Sequence, residues 1–97
     1  MRLIFEWDDE KAQKNHRKHR VGFEEAKTIF SDPLLISFPD EYHSGDEQRV
    51  ISVGASSKNR ILLLVHTEMS ESGNTVLIRI ISARQATASE RRIYEEN

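Results

Sequence analysis

The chain contains no cysteine. Disulfides and thiolate chemistry are therefore excluded, and so are the usual cysteine-built structural zinc sites. Long apolar runs are missing as well. The longest, Ile61 to Val65, falls far short of the roughly 20 residues that a membrane-spanning helix needs. The opening stretch, MRLIFEWDDEK, meets acidic residues at once. It carries neither the apolar segment nor the small-residue cleavage site of a secretory leader, so a cytoplasmic protein without membrane association is expected. Low-complexity tracts and internal repeats are absent too. What is there is 97 residues, 37% hydrophobic and 31% charged. That length and balance predict a single folded domain over 1–97 with a modest core.

The net charge of −2 argues against nucleic acid as a partner only until its distribution is read. Residues 11–20, KAQKNHRKHR, place Lys11, Lys14, Arg17, Lys18 and Arg20 beside His16 and His19 with no acid among them. Acids gather instead at Asp40, Glu41, Asp46 and Glu47, ahead of Arg49. Such a basic helix is either a solvated face or an electrostatic footprint for phosphates, and composition alone leaves both open.

The period of the apolar residues sets the order of elements. LIFEW (3–7) is a short apolar segment, read as an edge strand, and Asp8 or Asp9 can cap a helix over residues 9–19. On the Ala12, Asn15, His16, His19 stripe of that helix only Ala12 is apolar, so this face is expected to meet something polar. Val21, Gly22 and Glu25 read as staple, cap and N3 carboxylate of a second helix, FEEAKTIF, which turns Ala26, Ile29 and Phe30 inward and stops at Ser31-Asp32-Pro33. The period then changes from near 3.6 to 2. Strands are expected at 34–38, 49–54, 60–68 and 76–82, joined by turns too short for parallel crossovers. TASE then makes a capping box of Thr87 and Glu90 for a last helix. The expected class is α+β: two N-terminal helices, a four-stranded antiparallel sheet and a C-terminal helix.

Strict alternation puts Leu62, Leu64, His66 and Glu68 on one face of the third strand. In the fourth it separates Leu77, Arg79 and Ile81 from Ile78, Ile80, Ser82 and Arg84. Arginines in an apolar strand need a counter-charge, either a carboxylate of the protein or the anion of a ligand. A sheet carrying Arg, His, Ser and Glu can hold a phosphate. A cross-strand Glu68–Arg79 ion pair with a hydrogen-bonded structural histidine accounts for the same residues. Trp7 and Phe5 read as core. His43, in a polar loop, could reach a substrate or only water.

The segments FEWDDEKAQKNHRKH, VGFEEAKTIFSDP, DEYHSGDEQR, LLLVHTE, RIISARQAT and ERRIYEE, in that order and spacing, resemble the BrnT toxins of bacterial type II toxin-antitoxin modules nearly end to end. The resemblance implies a RelE-like or barnase-like ribonuclease fold, an RNA substrate and metal-independent cleavage with no cofactor. It also implies neutralisation by a BrnA antitoxin of ribbon-helix-helix type. A hetero-oligomer with that antitoxin would follow, touching DNA only through it. The family motif maps onto Lys18 and His19 in the first helix, Arg49 in the second strand, His66 and Glu68 in VHTE, and Arg79, Ser82 and Arg84 in RIISAR. Two positions depart from the family pattern: Arg20 stands where glycine is usual, and Gly22 where serine would cap better.

Metal-free RNA cleavage needs a base for the ribose 2′-hydroxyl, charge stabilisation on the phosphorane and a proton for the departing 5′-oxygen. The sequence reading assigns Arg79 and Arg84 to the phosphate, His66 or Glu68 to proton transfer and Ser82 to positioning. Lys18, with His19 and Arg49, is assigned to RNA binding. The other class of function is a non-catalytic module that binds an antitoxin or nucleic acid, with both arginines paired to protein carboxylates.

Overall fold

The structure is a computed structural model that describes residues 1–42, 45 and 48–97. His43 and Ser44 of the polar loop, and Asp46 and Glu47 of the acidic cluster, lie outside the described residues. In chain order the elements are β1 (Arg2–Glu6), α1 (Asp9–His19), α2 (Phe23–Ala26) continuing into a 3-10 helix (Lys27–Ser31), β2 (Ile36–Pro39), β3 (Arg49–Ala55), β4 (Ile61–Ser72), β5 (Thr75–Gln85) and α3 (Ala88–Glu96).

The helices begin and end for local reasons. Asp8 caps α1, its Oδ1 accepting from the Lys11 backbone N–H at 3.0 Å. Arg20 closes α1 in the left-handed conformation, φ 59°, its N–H donating to the His16 carbonyl. Glycine takes that conformation more easily, and here the Arg60 guanidinium secures it by donating to the Arg20 carbonyl at 3.1 Å. FEEAKTIF does not stay α-helical throughout. Thr28 Oγ1 donates to the Glu25 carbonyl at 2.6 Å, a side-chain competitor for the backbone ladder, and the chain tightens to 3-10 geometry from Lys27. The Thr87–Glu90 capping box of α3 forms as expected.

The sheet corrects the expected four antiparallel strands. Among the described residues it has five, in the order β1-β5-β4-β3-β2, and β1 runs parallel to β5. A parallel edge strand reached through helices and a meander leaves no hairpin signature, so nothing local in β1 points to its partner.

A second correction concerns faces. Val65 pairs with Ser82, but His66 pairs with Ile80, so Ile81 is an extra residue in β5. This bulge shifts the alternation by one. Ile78, Ile80 and Ala83 all turn to the helix-covered face, where they pack with Leu62, Leu64, Val21, Phe23, Ala26 and Ile29. Arg79, Ser82 and Arg84, expected on different faces, share the other one through their register with Thr67, Val65 and Leu63.

The polar stripe of α1 also finds its partner on the helix-covered side. Asn15, 8% exposed, donates to the carbonyls of Val21 (3.1 Å) and Ala83 (2.8 Å) and accepts from Ala83 N at 3.1 Å. One side chain thus ties α1 to β5. The 3-10 helix seats closely on β3 because Gly54 has no Cβ. A Cβ there would stand 2.9 Å from Leu35 Cδ1 and 3.2 Å from Ile29 Cβ.

Candidate functional site

On the face away from α1, the register lines up a row across four strands: Glu6 on β1, Arg79 on β5, Thr67 on β4 and Arg49 on β3. Arg79 Nη1 donates to Glu6 Oε2 at 2.6 Å, and both side chains are 44% exposed. An open cavity of about 530 Å³ lies over the Glu6, Arg79 and Thr67 part of this row, lined also by Gln48 and Glu68. The Glu68–Arg79 pair expected as the structural alternative does not form. Arg79 takes its carboxylate from β1.

Beyond the bulge, Ser82 and Arg84 line a second cavity of about 280 Å³ whose walls are Ile51, Val53, Leu63, Val65 and, from α3, Ile93. Arg84 binds Glu90 in bidentate fashion, at 2.7 and 2.9 Å. Glu90 also accepts from Thr87 N at 2.8 Å. The Arg84 hydrogen bonds, helped by that backbone N–H, hold the Glu90 carboxyl down at about 2 against the opposing effect of burial. The helix itself is docked by Tyr94, whose hydroxyl donates to Asp32 Oδ2 at 2.5 Å. That carboxylate pushes the phenol up to about 12, and burial adds to the shift.

His66 belongs to the other side of the sheet. It is 0% exposed, edge-on to Phe30 with ring centroids 5.1 Å apart. Its Nε2 lies 2.7 Å from Ser52 Oγ, which in turn lies 2.7 Å from Ser37 Oγ. Burial pushes its pKa down to about 4, offset in part by the Thr67 carbonyl. The ring is neutral near pH 7. Glu68 approaches its Nδ1 at 4.0 Å.

The structure therefore brings Arg49, Arg79, Ser82 and Arg84 to one face, with Glu68 at the edge of the first cavity. His66 is not among them. Nor are Lys18 and His19, at the C-terminal end of the helix that covers the opposite face. Lys18 is exposed and His19 half-buried. Sequence reasoning missed Glu6, Gln48 and Thr67. The signal for Glu6 was the alternation in RLIFE, inward at Leu3 and Phe5 and outward at Arg2, Ile4 and Glu6. It meant little without the parallel pairing. Among the described residues, no three of the His, Asp and Glu side chains gather to hold a metal ion. Among the described residues, no helix is long and apolar enough to cross a membrane.

A family model described as the ribonuclease toxin BrnT of type II toxin-antitoxin systems matches residues 7–90. The chain belongs to that family. BrnT membership makes it a ribonuclease toxin by family, with RNA as the substrate class and an antitoxin as partner. The crystal structure of the Brucella abortus ribonuclease toxin BrnT shares the fold. Its TM-score is 0.60 at 22% identity, over 90% of this chain and 99% of that one. Comparison with curated proteins finds no match. The α+β class expected from the sequence holds for this BrnT-family chain, with the five-stranded mixed sheet in place of the four-stranded one.

Proposed function

We propose that this BrnT-family chain acts as a single-domain, metal-independent endoribonuclease. In this reading it works in the cytoplasm, cuts RNA through attack by the ribose 2′-hydroxyl and so stops translation. A BrnA-type ribbon-helix-helix antitoxin neutralises it in a hetero-oligomer that meets DNA only through the antitoxin. The observation that carries the reading is the placement of Arg79 beneath an open cavity, with Arg49 in register on the other side of Thr67. A guanidinium offers several N–H donors in a fixed fork and stays charged, which suits a phosphorane.

In this proposal Arg79 and Arg84 hold phosphates along the face, Arg49 extends it and Ser82 positions the chain between them. Of the two residues given proton transfer from the sequence, Glu68 opens on the cavity. His66 supports the face from behind, holding β4 through Ser52. Lys18 and His19 reach only RNA that extends around the edge of the sheet.

One observation favours the binding-module reading: Arg79 and Arg84 each already bind a protein carboxylate, Glu6 and Glu90. Incubation of the purified protein with a defined RNA in EDTA separates the two. Cleavage by wild type that is lost in folded Arg79→Ala and Arg84→Ala supports the ribonuclease. Intact RNA with folded wild type, both free and in a translating extract, supports the binding module.

A further inference from the structure

We propose that Glu6 is the general base of this face, an assignment that rests on the ribonuclease reading above. Cleavage through the 2′-hydroxyl needs a proton acceptor beside the bound phosphate. His66 cannot provide one, because it is sealed on the far side of the sheet. Among the described residues, two carboxylates line the cavity, Glu6 and Glu68. Glu68 stands opposite Ile78 in the register, its Oε1 lies 4.0 Å from Nδ1 of the neutral His66 ring, and among the described residues it pairs with no arginine of the face.

Glu6 stands opposite Arg79 and is held by it. The Glu6 Oε2 contact engages Arg79 Nη1, while a guanidinium has five N–H donors in one plane. The remaining donors can take a phosphate while the first keeps the carboxylate alongside it. Arg79 then acts as a bridge that fixes base and phosphate relative to each other. Such fixed geometry favours reaction over free encounter.

The step balances without any further reagent but water. Glu6 takes the 2′-hydroxyl proton as the 2′-oxygen forms its bond to phosphorus. The bond from phosphorus to the 5′-oxygen breaks, and that oxygen takes a proton from water in the open cavity. The hydroxide left behind removes the proton from Glu6. The products are a 2′,3′-cyclic phosphate and a 5′-hydroxyl, with no change of oxidation state.

The test compares wild type, Glu6→Gln and Glu6→Asp in single-turnover cleavage of a labelled RNA. Affinity for a 2′-O-methyl RNA, which lacks the nucleophile, is measured alongside. Glu6→Gln should slow cleavage at saturation by about 100-fold or more while its affinity for the uncleavable RNA stays within about threefold. Glu6→Asp, which keeps the charge and withdraws it by one methylene, should fall between. It carries the test if Glu6→Gln fails to fold.

Cleavage by Glu6→Gln within about threefold of an active wild type would overturn the assignment and leave the ribonuclease reading standing. So would equal losses of rate and affinity, since Glu6 would then only hold Arg79 in place. Wild type that cuts neither free RNA nor messenger in a translating extract overturns the ribonuclease reading itself, and the role of Glu6 with it.

Discussion

Arg79 and Arg84 project from the same face of β5 although an odd number of positions separates them, because the bulge at Ile81 absorbs one residue. In an unbroken strand one of the two would enter the helix-covered core. The bulge is therefore what allows a chain of this size to carry both arginines on one open surface.

Deletion of Ile81 removes the extra residue and leaves Arg79, Ser82 and Arg84 at intervals of two along β5. Both guanidiniums then stay on the open face of a regular strand, with Ile80 and Ala83 still turned to the core. The expected outcome is a chain that remains folded at 25 °C by circular dichroism. Ile81→Val, which keeps the bulge, should cost no more than about 1.5 kcal/mol. A deletion variant that is largely unfolded would mean that the bulge does more than set the parity of the two arginines.

His66 makes stability depend on pH over a defined window. Its folded pKa is depressed from 6.5 to about 4 by burial. Between those values the unfolded chain binds a proton that the folded chain does not. Stability is therefore fully present above about pH 6.5 and is lost as pH falls towards 4, by at most about 3 kcal/mol. Urea unfolding at pH 7 and pH 5 should show the loss in wild type, and a smaller one in His66→Gln, whose amide can still reach Ser52. Equal losses in both proteins would assign the effect to other groups. If folded His66→Gln still cuts RNA, the support role holds. If it does not, His66 returns to the reaction.

The legibility of this chain divides along physical lines. Elements governed by local signals were readable: the cap at Asp8, the Thr87–Glu90 box, the period-2 runs and the stop at Pro33. So was the need of the Asn15 stripe for a polar partner, although nothing pointed to the backbone of Ala83. The parallel pairing of β1 was unreadable because it depends on residues more than 70 positions apart. The bulge was equally hidden, since Ile80, Ile81 and Ser82 carry no glycine or other mark of an extra residue. Both omissions bear on the site. The bulge decides which side chains share the face, and the parallel strand supplies Glu6.

Asn15 should be the most sensitive polar position of α1. Asn15→Ala leaves two carbonyls and the Ala83 N–H without their partner, and each buried unsatisfied group costs about 1–3 kcal/mol. Water entering the gap recovers part of this, so a net loss of about 2–4 kcal/mol is expected by urea unfolding. Asn15→Asp should be at least as damaging, because it removes the donor and brings an acid to two carbonyls. A loss under about 0.5 kcal/mol, typical of surface positions, would contradict the anchoring role.

The separation of Lys18 from the arginine face predicts a dependence on RNA length. Each cation that neutralises a phosphate contributes about 0.7 to the slope of log affinity against log salt for single strands. Arg49, in register with Thr67 and Arg79, should contribute that amount for short and long RNA alike. Lys18 is exposed at the end of α1 and forms no ion pair among the described residues, so it is available to a phosphate but lies away from the row. Lys18→Ala should leave the affinity and salt slope for a short oligonucleotide unchanged and lower both for an RNA long enough to pass around the sheet edge. Its cleavage rate at saturation should match wild type, because the interaction is equal in ground and transition states. Titrations of Arg49→Ala and Lys18→Ala at several salt concentrations decide the matter. A Lys18→Ala defect already present with the short RNA would move the bound strand from the arginine face to the basic helix.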